Sequence, residues 1–153
     1  MNFASALFCD DIRLEVGNKH TYVGCYEAQL VVPELPIVLP KFCISVELHL
    51  RDFPTEDTLI DTRIFLPGDA PGAASVASSG SLPKTSPPQA DPDDPFGAQP
   101  ILRVRQTFVL SPLEIKSEGA IRVRVILGEQ ELRAGSLQVR CEPPFVASET
   151  SSA

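Results

Sequence analysis

The sequence predicts an all-β protein, a seven-stranded β-sandwich with a long disordered insert. Apolar and polar residues alternate over several short stretches, no long stretch has a helical period of 3.6, and one segment is rich in proline and glycine. A single sheet of this size would leave one apolar face exposed, which favours two packed sheets. The strand order is open between an immunoglobulin-like and a C2-like or jelly-roll topology.

The clearest alternation lies in residues 41–51, KFCISVELHLR. It predicts a central strand with one buried and one wetter face. The residues expected on the buried face are Phe42, Ile44, Val46, Leu48 and Leu50.

The N-terminal part predicts a β-hairpin. Residues 6–15 and 20–26 are its strands, and Val16-Gly17-Asn18-Lys19 marks the turn because Gly and Asn tolerate positive φ. A three-residue loop would place Cys9 opposite Cys25, whereas a two-residue loop would shift the register by one. Both loops remain open, and the second strand is expected to continue beyond a bulge.

Besides the central strand at residues 41–51, the remaining strands are predicted at residues 59–66, 101–110, 121–127 and 137–141. In an immunoglobulin-like order, the central strand would share a sheet with the last two strands. The proline-rich segment before the central strand is expected to be an extended connection, since proline cannot donate a ladder hydrogen bond.

Residues 67–100 differ in composition from the rest of the chain. They contain eight prolines and four glycines, and few large apolar residues. Burial of so little apolar surface cannot repay the entropy of ordering, so this segment is predicted to be a disordered insert. The predicted domain therefore comprises residues 1–66 and 101–141, followed by a flexible tail at 142–153.

The net charge of −7 argues against nucleic acid or an anionic membrane as the partner of the whole surface. Residues 101–141 are the exception, with seven basic and four acidic side chains.

The first residues lack the basic segment of a secretory signal, and no apolar run is long enough to span a bilayer. A cytoplasmic protein with reduced cysteines is the expectation.

Arginine stands out on the wetter faces of the C-terminal strands. One interpretation is a basic strip that binds carboxylate or phosphate groups. The alternatives are cross-strand ion pairing, with Glu47 opposite Arg122 or Arg124, and a fold-back of the acidic insert over the strip. The candidate binding residues are Arg103, Arg105, Arg122, Arg124 and Arg140.

Catalytic and metal-binding motifs are absent from the sequence. Aspartates that are solvated or hydrogen-bonded are the simpler interpretation of the acidic residues. Alternatively, four carboxylates could form a C2-type calcium site if the fold brought them together, namely those of Asp10, Asp11, Asp52 and Asp57. Zinc would require the four scattered cysteines to converge with His20 and His49. We therefore expect neither a cofactor nor enzymatic activity.

The N-terminal run FCDDIRLEVGNKHTYVGCY resembles a family of short bacterial proteins that has no assigned activity. The family pattern FCDDIRxExGxK followed by YxGxY matches Phe8 to Arg13, Glu15, Gly17, Lys19, Tyr22, Gly24 and Tyr26. The resemblance implies an independent bacterial β domain and assigns no catalytic residues.

Together these features favour a non-catalytic module for protein binding or assembly, and its sheet edges would allow homo-oligomers to form. The alternatives are a carboxylate-based, calcium-dependent enzyme and a structural component of a phage.

Overall fold

The computed structural model describes residues 1–145 and consists of strands joined by turns and loops. Among these residues no helix is long and apolar enough to cross a membrane. The strands are β1 (Phe3–Glu15), β2 (Lys19–Tyr26), β3 (Gln29–Val32), β4 (Ile37–Leu39), β5 (Phe42–Leu50), β6 (Thr58–Phe65), β7 (Val76–Leu82), β8 (Leu102–Leu110), β9 (Leu113–Ile115), β10 (Gly119–Leu127) and β11 (Gln130–Cys141).

Two main sheets form a β-sandwich, which confirms the predicted all-β sandwich. The predicted number of seven strands is wrong, because residues 1–145 contain eleven strands, nine of them in the two main sheets. Sheet A has the order β2-β1-β5-β8, and sheet B has the order β3-β11-β10-β6-β7. The strand order differs from the immunoglobulin-like order considered above, because the central strand β5 lies with β1 and β8 rather than with β10 and β11. A small third sheet pairs β4 with β9.

The core lies between the inward faces of the two sheets. The five predicted apolar residues of β5 are all buried, and Ile121, Val123 and Val125 of β10 are buried on the facing sheet. One polar contact crosses this core, where the buried Thr62 hydroxyl donates to the side-chain oxygen of Gln106. Because an unpaired buried hydroxyl would be costly, this bond helps to fix how the sheets face each other.

Two segments form short strands that differ from the prediction. The proline-rich segment before β5 contains β4, which pairs with β9 and buries Leu113 and Ile115. Residues 29–32 do not extend β2 but cross to sheet B, where β3 pairs in parallel with β11.

The prediction that the whole of residues 67–100 is disordered is wrong for Val76–Leu82. These residues form β7, an edge strand that pairs with β6 along its full length. The main-chain ladder supplies their order, and Leu82 adds a buried side chain. Disorder of residues 83–100 and mobility of the tail remain predictions, and the part of the tail at 146–153 lies outside the described residues.

The β1–β2 hairpin has the three-residue loop, with Glu15 opposite Lys19. Its outer part lies against the outward face of sheet A, where the Tyr22 hydroxyl is 3.3 Å from Ser45 Oγ. This contact explains why Ser45 is buried although it lies on the face of β5 that was expected to be wet.

Candidate functional site

The five candidate arginines do not form one strip. Arg103 and Arg105 lie on β8 in sheet A, whereas Arg122, Arg124 and Arg140 lie on sheet B. Since the two sheets pack through their inward faces, these two groups point away from each other on opposite sides of the sandwich.

On sheet A, Arg105 forms an ion pair with Glu47 and a hydrogen bond with His20. It lies opposite Glu47, with Nη2 3.5 Å from Oε1, and its Nη1 is 3.0 Å from His20 Nδ1. The predicted pairing of Glu47 with Arg122 or Arg124 is wrong, because β5 and β10 belong to different sheets. Arg105 therefore acts as a cross-strand partner and is not free for a ligand.

On sheet B, three arginines lie side by side across neighbouring strands. The register places Arg63 of β6 opposite Arg124 of β10, and Arg124 opposite Arg133 of β11. Arg122 lies two residues before Arg124 and shares its outward face. We call these four residues the arginine cluster. Directly opposed like charges destabilise a sheet, so the arrangement needs compensation.

Acidic neighbours compensate only part of this charge. Asp61 Oδ2 lies 2.7 Å from Arg63 Nη2, and Glu131 Oε1 lies 3.5 Å from Arg124 Nε. Within residues 1–145, Arg122 and Arg133 take part in no ion pair. Both are exposed and have guanidinium groups available to an external anion.

The cluster borders a shallow concavity of about 290 Å³. Apolar and charged side chains line it together, which suits a ligand with an acidic group beside a nonpolar part. The lining residues are Phe65, Asp69, Pro71, Arg122, Arg124, Glu131 and Arg133.

Asp69 shapes one wall of this concavity through the loop that follows β6. Its carboxylate accepts hydrogen bonds from the backbone N–H groups of Leu66 and Ser75, at 2.8 and 2.9 Å, and from the Ser75 hydroxyl. Partial burial opposes ionisation of Asp69, but these hydrogen bonds outweigh it and lower the pKa of the carboxyl group. The negative charge of Asp69 is therefore stabilised by hydrogen bonds within the loop that carries Pro71.

The carboxylates considered for calcium are held by separate partners. Asp10 accepts a hydrogen bond of 2.5 Å from the Tyr26 hydroxyl, and Asp11 accepts one of 2.5 Å from Lys41 Nζ. The hydrogen bond from Lys41, helped by one from Arg13, lowers the pKa of Asp11 despite some desolvation.

The other two candidate ligands lie elsewhere. Asp52 follows the end of β5 and is 3.9 Å from the N-terminal amino group, whereas Asp57 accepts a hydrogen bond from the backbone of Lys84. Because Asp11 interacts with Lys41 at the beginning of β5 and Asp52 follows its end, one ion cannot contact both. Across residues 1–145, no three or more His, Cys, Asp and Glu side chains are grouped so that they could hold a metal ion.

The six side chains considered for zinc do not converge on one site within residues 1–145. Cys9, Cys25 and Cys43 lie beside one another on sheet A, whereas Cys141 lies on β11 in sheet B. The ring of His49 stacks on Phe3 with 4.4 Å between centroids.

Two members of the arginine cluster, Arg63 and Arg133, were not among the binding residues predicted from the sequence. Arg63 lies in a predicted strand but stands alone between Thr62 and Ile64, so no pattern marks it. Arg133 lies between the predicted strands at 121–127 and 137–141, in a segment to which no strand was assigned, because the bulge at Ala134 interrupts the alternation of β11.

The comparisons with known proteins are consistent with this picture of a β domain without an assigned activity. No curated protein and no solved structure matches the chain significantly. A family model, described as a family of unknown function (DUF6941), matches residues 4–140, which includes all the strands of both main sheets except the ends of β1 and β11. The chain therefore belongs to the DUF6941 family.

Proposed function

We propose that the protein is a non-catalytic, cytoplasmic binding or assembly module that recognises an acidic segment of a protein partner through the arginine cluster. The observation that supports this proposal best is the pair Arg122 and Arg133, which border one concavity and lack an ion-pair partner among residues 1–145. Planar guanidinium groups bind carboxylates with two parallel hydrogen bonds, which favours an acidic peptide.

The charge distribution supports selectivity for this site. The chain carries a net charge of −7, so an acidic partner is repelled by most of the surface and attracted only where arginines are concentrated. Electrostatic complementarity of this kind guides a partner to one orientation.

The non-catalytic part of the proposal is supported by the separation of the candidate carboxylates, each of which already has a partner. The cytoplasmic part is supported by four cysteines that form no disulfide, as expected in a reducing compartment.

A fluorescent hexaglutamate peptide provides a direct test, with anisotropy measured at low salt. We expect Arg122→Glu combined with Arg133→Glu to weaken binding roughly tenfold or more, through the loss of charge-assisted hydrogen bonds. The control variant combines Arg103→Glu with Arg140→Glu, which changes the net charge by the same amount at two residues outside the concavity. It should retain most of the binding.

Two outcomes would contradict the proposal. One is the absence of hexaglutamate binding by the unmodified protein. The other is an equal loss of binding in the two double variants, which would indicate general charge attraction rather than a site.

A further inference from the structure

Three cysteines lie in one row across sheet A. The register places Cys9 of β1 opposite Cys25 of β2 on one side and opposite Cys43 of β5 on the other. Opposed residues of antiparallel strands have Cα atoms about 4.5–5.5 Å apart. This spacing lies within the range of roughly 4.4–6.8 Å that a disulfide spans.

The three thiols differ in their access to solvent. Cys25 is exposed, whereas Cys9 and Cys43 are fully buried. Burial, followed by the neighbouring Cys43 and Cys25, raises the pKa of Cys9 to about 11. A small oxidant therefore meets Cys25 first, and Cys9 is protected from direct attack.

We propose that Cys25 and Cys9 form an oxidisable thiol pair, in which a hydroperoxide oxidises Cys25 and Cys9 then closes a cross-strand disulfide. The pair is independent of the arginine cluster and lies on the other sheet. Cys43 is opposite Cys9 but has no access of its own to the oxidant.

The chemistry is a two-electron oxidation in two steps. The Cys25 thiolate attacks the terminal oxygen of the hydroperoxide, the O–O bond breaks, and Cys25 becomes a sulfenic acid as an alcohol or water leaves. Cys9 sulfur then attacks Cys25 sulfur, the S–O bond breaks, and the hydroxide leaves as water with the proton of Cys9. Two thiols are oxidised and one hydroperoxide is reduced.

The test treats the folded 153-residue protein with hydrogen peroxide and then alkylates the remaining thiols. We expect two of the four thiols to be lost, the protein to lose the mass of two hydrogen atoms, and proteolysis to yield a peptide that links Cys9 to Cys25. Cys141→Ser is the matched control and should give the same linked peptide, because Cys141 lies on sheet B.

Cys25→Ser should abolish the loss of thiols, and because Cys25 is exposed this change should leave the fold intact. Cys43→Ser should retain the Cys9–Cys25 link. A linked peptide that contains Cys141, a loss of two thiols in Cys25→Ser, or Cys25 oxidised to the sulfinic acid while Cys9 remains free would overturn the proposal.

Discussion

A single carboxylate, Asp69, holds the loop that brings Pro71 to the concavity. We expect Asp69→Asn to reduce the free energy of unfolding by about 1–3 kcal/mol at pH 7, because charge-assisted bonds to Leu66 and Ser75 become neutral ones or are lost. Urea denaturation measures this change. Asp93→Asn removes an exposed carboxylate and is the control, with an expected change within about 0.5 kcal/mol.

The pH dependence of this effect follows from the lowered pKa of Asp69. A carboxyl group with a folded-state pKa below its unfolded value, about 3.9, stabilises the fold above that value. The stabilisation is lost as the pH falls through the folded pKa. The difference between the unmodified protein and Asp69→Asn should therefore narrow below about pH 4, and a difference that stays constant from pH 7 to pH 3 would contradict this account.

Among the strands, the outer part of the β1–β2 hairpin depends on one glycine. Gly24 has φ of 66°, and a Cβ atom there would overlap the carboxylate of Asp10, which already accepts a hydrogen bond from the Tyr26 hydroxyl. We expect Gly24→Ala to reduce the free energy of unfolding by about 1–3 kcal/mol, since it adds both backbone strain and a steric conflict.

Gly80→Ala is the matched control, because Gly80 lies in a strand and a Cβ atom there meets nothing within 4 Å. The measurement is chemical denaturation of both variants. The control should change the free energy of unfolding by less than about 0.5 kcal/mol. Equal losses in the two variants would show that glycine in a strand, rather than the geometry at Gly24, determines the effect.

Strands could be predicted from the sequence where buried apolar side chains alternate with exposed polar ones. The face of β5 was predictable because every second residue is apolar, and all five are buried. The edge strand β7 was not predictable from the sequence, because VASSGSL has little apolar alternation. Its order comes from pairing with β6. The contact of Tyr22 with Ser45 joins distant parts of the chain and leaves no local signal.

The candidate site shows the same limit. Alternation correctly predicted that Arg122 and Arg124 are on the same outward face of β10. It could not show which arginines are neighbours, because this depends on the sheet in which each strand lies. The row of Arg63, Arg124 and Arg133 requires the order β6-β10-β11 and a bulge at Ala134.

For the whole molecule, the arginine cluster implies a conflict between stability and binding. Like charges face one another across sheet B, and such pairs lower the stability of a sheet. Natural proteins commonly tolerate such local destabilisation at binding sites.

Arg133→Gln tests this conflict. We expect it to raise the free energy of unfolding by about 0.2–1 kcal/mol at low salt, because one repulsive cross-strand pair is removed, while binding of hexaglutamate weakens. The gain should shrink as added salt screens the repulsion. Arg105→Gln, which removes the partner of Glu47, should instead lower stability or leave it unchanged and leave hexaglutamate binding intact. If Arg133→Gln lowers stability and leaves binding unchanged, Arg133 serves the fold rather than a ligand, and the repulsion across sheet B has no functional counterpart.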